Sequence, residues 1–188
     1  MGADWPPDEP REATATFGDS VLFEDHVDAK IATPLHPLLL EAAREAAARA
    51  AAAASTDPNR ELQEACVAIF AAAIAVETAT HWAVETLAPG LLSAIQDDEL
   101  AHKWQAAVEQ ITGVRPSLGA GTGHAVSRLA RDRNRIAHNP SRGYSFFAPP
   151  RRRSGGRSDI RTEFDAARAA RASATASDAI RDLGLGTK

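Results

Sequence analysis

The chain has 188 residues, a formal net charge of −4 and 44% apolar residues, few of them aromatic, which favours one domain of closely packed helices over an extended sheet. Its single cysteine, Cys66, excludes a disulfide framework or a thiolate metal cluster within one chain. Residues 1–100 carry 5 Lys and Arg against 18 Asp and Glu, whereas residues 101–188 carry 16 against 7, so the net charge does not exclude a basic surface that binds nucleic acid.

Residues 1–33 predict an irregular N-terminal arm, because they are rich in Pro, Asp and Glu and contain only scattered apolar residues. The acidic, Pro-rich start of the chain is unlike a signal peptide, and no stretch approaches the ~20 uninterrupted apolar residues of a membrane span. With one cysteine in the chain, we expect a cytoplasmic protein that has no membrane partner.

Residues 34–184 predict an all-α domain, a four- to five-helix up-and-down bundle. The first helix runs from Pro34 to Ala54. The second begins at Asp57-Pro58, which place a capping side chain before a proline at the first helical position, and runs to about Thr86, before Pro89-Gly90. Its length makes it the central helix of the bundle.

Three further helices follow in the predicted bundle. Asp97, Asp98 and Glu99 open the third helix, which Gly113 ends. The fourth follows the loop 114–121 and ends at Asn139-Pro140. Residues 141–157 predict a flexible basic loop, and the fifth helix runs from about Ser158 to Leu183, with Thr162 and Asp165 spaced as a capping box.

Arg133 occupies an unexpected place on the fourth helix. On a helical wheel it lies within about 20° of Val126 and about 40° of Leu129, at the centre of the apolar stripe. A charge there is costly unless it is paired or faces a cleft, and an arginine that snorkels or forms a salt bridge fits the same pattern.

The residues Arg133-Asn134-Arg135-Ile136-Ala137-His138, on a late helix after a long second helix and before a closing one, resemble the signature of the HEPN superfamily. The resemblance covers about residues 35–184. It implies a bundle of HEPN type and a metal-independent endoribonuclease without a cofactor. It also implies a toxin–antitoxin, phage-defence or stress setting, in which an antitoxin or another defence protein is a partner.

The resemblance also implies roles for individual residues. Cleavage by attack of the 2′-hydroxyl needs proton transfer, which suits His138, and stabilisation of phosphate charge, which suits Arg133. Asn134 would orient His138 or bind a phosphate, or it is a surface amide. Glu77 matches an acidic position of related bundles and would pair with Arg133, or it is simply a solvated residue.

Helix geometry limits a site made from one helix. Five residues separate Arg133 from His138, which corresponds to about 140° around the axis and ~7.5 Å along it. Either the arginine curls back and the helix end reorients His138, or two chains supply their pairs to one shared cleft. The resemblance favours the second arrangement and therefore a homodimer.

Basic residues surround the motif in sequence and would attract an RNA backbone in a salt-dependent way. The assigned RNA-binding residues are Arg131, Arg135, Arg142, Arg151, Arg152 and Arg153. Tyr144, Phe146 and Phe147 would add faces for base stacking, or they anchor a loop. A disordered basic loop is the plainer interpretation of the same segment.

Two other functions fit the same sequence, namely a catalytically silent HEPN-like module that binds RNA or protein, and a plain helical interaction domain. A metal site is not expected, because Glu99-x-x-His102 lacks the second such pair of a di-iron bundle. The glycine-rich stretch 119–123 lacks the Lys-Ser/Thr of a P-loop, and Cys66 lies on an apolar helix face as a core residue.

Overall fold

The computed structural model describes residues 34–137 and 163–186, and everything below concerns those residues. They form six α-helices and one short 3₁₀ segment without any strand, which confirms the predicted all-α class. The N-terminal arm 1–33, the loop 141–157 and His138 lie outside the described residues. The helices are α1 His36–Ala53, α2 Pro58–Leu87, α3 Leu92–Ile95, α4 Leu100–Thr112, α5 Gly121–Ala137 and α6 Ala166–Asp182.

Helix α1 packs through alanine. Leu40 and five alanines of this helix are buried, and most of those alanines form a cluster with alanines of α2 and α6. Small side chains let helix axes approach closely, and alanine has the highest helix propensity, so one residue type serves both local structure and packing.

Helix α2 is the central element and contacts α1, α4, α5 and α6. It begins as the sequence predicts, since the Asp57 carboxylate accepts hydrogen bonds from the backbone N–H groups of Asn59 and Arg60, both at 3.1 Å. It ends at Leu87, one residue beyond the predicted end.

By length and composition, α2 is also apolar enough to cross a membrane, although charged residues interrupt its apolar sequence. Within the bundle, 56% of its most apolar 18-residue window is buried. The core helix of a soluble protein has the same character, so this single helix is weak evidence for a membrane span.

The connection from α2 to α4 contains structure that the sequence did not predict. After Ala88 the chain forms a 3₁₀ turn, Pro89–Leu91, and then the short helix α3, whose Ile95 is buried. Helix α4 begins at Leu100, directly after the three acidic residues, and Glu99 is extended at its N-cap without a side-chain capping bond. Gly113, with φ of 74°, ends α4 as predicted.

The last helix is interrupted within its predicted range, whose start at about Ser158 lies outside the described residues. Asp165 is extended rather than helical, and its carboxylate caps the helix by accepting from the Arg168 backbone N–H at 2.7 Å. It is therefore the N-cap of α6, not the second partner of a capping box that begins at Thr162. The preceding Phe164 leaves the helical path and inserts into the core, where it is 2% exposed.

The core lies between α2, α4, α5 and α6. Trp104 is fully buried, and its indole Nε1–H donates to the Ala179 carbonyl at 3.0 Å, which joins α4 to α6. Around it the largest buried side chains include Phe164, Ile69, Ile180 and Leu183. The last two turns of α5 pass along the edge of this core, and this position places Arg133 beside α2 and α4.

Candidate active site around Arg133

The site is built on the C-terminal part of α5, where the predicted motif begins. Val126 and Leu129 are buried as the wheel predicts, but Arg133 is only half-buried, with 35% of its side chain exposed. The buried charge on this helix is its neighbour, Asp132. Arg133 keeps its place on the buried side of the wheel, but it lies in the last turns of α5, where Asn134, Arg135 and Ala137 are exposed, so the core no longer covers it.

Glu77 on α2 contacts Arg133. The distance between Arg133 Nη2 and Glu77 Oε2 is 3.5 Å, so the ion pair expected from the sequence is present, although it is long. Arg133 Nη1 donates to the side-chain oxygen of Asn134 at 3.0 Å. The two neighbours hold the guanidinium at the surface without enclosing it, and three of its five N–H donors have no partner among the described residues.

Lys103 on α4 is a third member of this group, and sequence reasoning missed it. Its Nζ lies 3.7 Å from Glu77 Oε1, and the side chain is 9% exposed. Glu77 is thus shared by two cations, and the group as a whole has one net positive charge. Its sequence position could have revealed it, because Lys103 falls on the same helical face as Leu100 and Ala107.

Asn134 and Arg135 extend from the same last turns and are exposed. Arg135 is ion-paired with Glu163, and its guanidinium lies 5.9 Å from the centre of the Phe164 ring. Arg131 is also exposed, and its Nε donates to the Ser127 carbonyl at 3.3 Å. Of the assigned RNA-binding residues, only these two arginines are described, and they lie on a face of α5 that differs from the face of Arg133.

The remaining assigned residues lie outside the described part of the chain. They are His138, Arg142, Arg151, Arg152 and Arg153. The structure therefore brings Arg133, Asn134 and Glu77 together, and it adds Lys103 to them. Ala137 is the last described residue of α5 and precedes His138 directly.

A largely buried ion pair between α5 and α6 was also missed. Asp132 Oδ1 accepts from Arg168 Nη2 at 2.6 Å, and Oδ2 accepts from Nε at 2.7 Å. The hydrogen bonds to Asp132 raise the pKa of Arg168 above its ordinary value and outweigh the opposing effect of burial. The sequence signal was the helical spacing of Arg168 with the buried residues Ala172 and Ala176.

Within residues 34–137 and 163–186, no group of three or more His, Cys, Asp or Glu side chains converges to hold a metal ion. The chemistry available around Arg133 is that of an oriented guanidinium, which can bind an anion through a planar fork of donors. No protein-family model matches the chain, and no curated protein or solved structure matches it either.

Proposed function

We propose that this protein is a metal-independent endoribonuclease of HEPN type that acts as a homodimer in the cytoplasm. The observation that carries the proposal is the state of Arg133: a half-exposed guanidinium that Glu77 and Asn134 orient, on the helix turn that leads directly into His138.

The proposed reaction is attack of an RNA 2′-hydroxyl on the adjacent phosphorus. His138 transfers the proton that leaves the 2′-hydroxyl or the proton that the departing 5′-oxygen requires. The guanidinium of Arg133 stabilises the negative charge that grows on the phosphorane oxygens. Asn134 holds Arg133 Nη1, and Glu77 holds Nη2, so both act as positioning residues.

Two copies of the chain complete the proposed site. Positions 133 and 138 are ~140° apart around the helix axis, so the arginine and the histidine of one chain would not face the same narrow cleft. If two α5 helices face each other in a dimer, the arginine of one chain can lie near the histidine of the other. The bundle itself would then be of the up-and-down HEPN type, with an antitoxin or another defence protein as its regulator.

The test is cleavage of a fluorescently labelled RNA by the purified full-length chain in the presence of EDTA. Arg133→Ala and His138→Ala are expected to slow cleavage by at least about a hundredfold. The matched control is Arg115→Ala, which removes another exposed, ion-paired arginine, one on the loop after α4. Circular dichroism confirms that each variant is folded.

Equal cleavage by the wild-type chain and both variants would overturn the proposal. RNA binding without any cleavage product would favour the catalytically silent RNA-binding module, for which Arg133 would serve as a phosphate contact only. The net positive charge of Arg133, Lys103 and Glu77 is the observation that favours this second function, because a phosphate contact requires positive charge but no proton transfer.

A further inference from the structure

A cavity of about 130 Å³ lies between α5 and α6, on a different side of α5 from Arg133. Helix α5 lines it with His124, Arg128 and Asp132, and α6 lines it with Arg168 and Arg171. Ala125, Leu129, Ala172 and Thr175 complete the wall. None of these side chains has a role in the proposed nuclease site, so any function of the cavity would be a separate one.

The charge in this cavity is not balanced by the described residues. Arg168 neutralises Asp132 through its two-bond fork, and this leaves the positive charges of Arg128 and Arg171. Neither of these two arginines has an ion pair with any acidic side chain that the structure describes. By contrast, arginine ion pairs are common elsewhere in the described residues, at Arg44, Arg49, Arg115, Arg133, Arg135 and Arg181.

The Asp132–Arg168 ion pair also holds one side of the cavity in a fixed position. Arg168 donates from Nε and Nη2 to Asp132, and from Nη1 to the Glu163 carbonyl at 2.8 Å. Its guanidinium lies 5.3 Å from the centre of the Phe164 ring. Because a guanidinium has five N–H donors, these bonds hold the group in place and still leave donors without a described partner.

The volume and the charge of the cavity together limit the class of ligand that it can bind. The volume is roughly ten times the ~10–15 Å³ that one water needs, but it is well below the ~300 Å³ of a site that encloses a drug-sized molecule. A carboxylate can be satisfied by a single arginine fork, whereas a phosphate group has enough oxygens and charge for two. The remainder of a larger ligand would stay outside.

We propose that the α5–α6 cavity is a phosphate-binding site, in which Arg128 and Arg171 clamp one phosphate group from opposite helices. The Asp132–Arg168 pair keeps the two helices at the spacing that the clamp requires. The site does not depend on the nuclease proposal, because it shares no residue with the Arg133 group. Its phosphate belongs either to a small molecule with a terminal phosphate or to an RNA backbone.

The experiment measures binding of inorganic phosphate to the full-length chain by isothermal titration calorimetry at constant ionic strength, with chloride as the reference anion. The variant pair Arg128→Gln and Arg171→Gln is expected to weaken phosphate binding by about tenfold or more. The matched control is Arg60→Gln, which removes an exposed arginine that also has no described ion pair and is on α2.

A second pair of variants tests whether phosphate binding needs the planar guanidinium groups or only their positive charge. Arg128→Lys with Arg171→Lys keeps both charges but replaces each planar fork with a point charge, and it is expected to bind phosphate more weakly than the wild type. Two outcomes overturn the proposal: no phosphate binding by the wild type, or equal affinity of the wild type and the Gln pair.

Two further probes identify the source of the phosphate. Binding of adenosine monophosphate but not adenosine, lost in the Gln pair, assigns the cavity to a terminal phosphate. Binding of a short RNA that weakens in the Gln pair, together with no binding of the mononucleotide, assigns it to the backbone. Neither result requires cleavage, so both readouts hold whether or not the chain cuts RNA.

Discussion

The carboxylate of Asp132 on α5 accepts two hydrogen bonds from the guanidinium of Arg168 on α6, at 2.6 and 2.7 Å. Both side chains are largely buried, with 11% and 20% exposed. The two helices also meet at the packed residue Phe164, whose ring faces Arg168. This pair thus connects α6, the last helix, to the helix that carries Arg133.

Asp132→Ala is expected to reduce the free energy of unfolding by about 3 kcal/mol, because it leaves the Arg168 guanidinium buried without its carboxylate. Urea denaturation measures the change. Arg181→Ala is the control, since its pair with Asp178 is mostly exposed and its loss should change stability by less than about 1 kcal/mol. Equal losses in the two variants would contradict a structural role of the buried fork.

Glu77→Gln is expected to reduce the free energy of unfolding by about 1–2 kcal/mol, because Lys103 then has no carboxylate among the described residues. Adding Lys103→Met should recover most of the loss, since an apolar side chain of similar length needs no partner in this position. A double-mutant cycle measured in urea gives the coupling. Glu85→Gln, an exposed change on the same helix, should have little effect.

Gly123→Ala is expected to destabilise the chain by about 2 kcal/mol, although alanine is the better helix former by about 1 kcal/mol. A Cβ at position 123 would lie 2.3 Å from the Ser117 carbonyl oxygen, and that oxygen belongs to backbone that must then shift. Thermal unfolding checks the change. At Gly119 the nearest atom would be 3.7 Å away, so Gly119→Ala should leave stability within about 0.5 kcal/mol.

Cys66 is expected to react slowly with iodoacetamide in the folded chain. Burial raises the pKa of its thiol from 9.0 to about 11, so at pH 8 the thiolate fraction is about a hundredfold lower than in the unfolded chain. Mass spectrometry follows the single cysteine with and without urea. Comparable rates in both states would show that the thiol is not protected.

The same raised pKa gives Cys66 a defined effect on stability. The folded state favours the protonated thiol, so this contribution is complete below pH 9 and is lost as the pH rises from about 9 to about 11. Cys66→Ala should flatten the dependence of the melting temperature on pH in that window. An unchanged slope would assign the alkaline loss of stability to other groups.

Local chemistry explains which parts of the fold were predictable. Asp57 before Pro58 and the left-handed Gly113 mark helix ends through interactions within a few residues, and both ends appear where expected. The break before α6 was not predicted, because Thr162 and Asp165 match a capping box in spacing. The structure places the break at Phe164, whose ring is buried in the core, and at the extended Asp165.

In the candidate site, too, only the features that depend on a single helix were predictable from the sequence. Periodicity drew attention to Arg133, and an acidic residue in an otherwise apolar helix drew attention to Glu77, because both are patterns within one helix. Lys103 and Arg168 were missed, since their importance depends on a partner from a helix far away in sequence. A wheel drawn for α5 alone also could not tell that the buried charge is Asp132, whose partner is on α6.

The sequence by itself determined that the described chain is helical, where most helices begin and end, and that one motif near the end of α5 bears charge in an unusual place. These properties follow from propensity, capping and periodicity, which act over a few residues. Tertiary packing alone decided that Glu77 is shared between Arg133 and Lys103, and that Asp132 and Arg168 shape a basic cavity. The physical reason is that the function of a charged side chain depends on the groups that other helices place beside it, and these neighbours are far away in sequence.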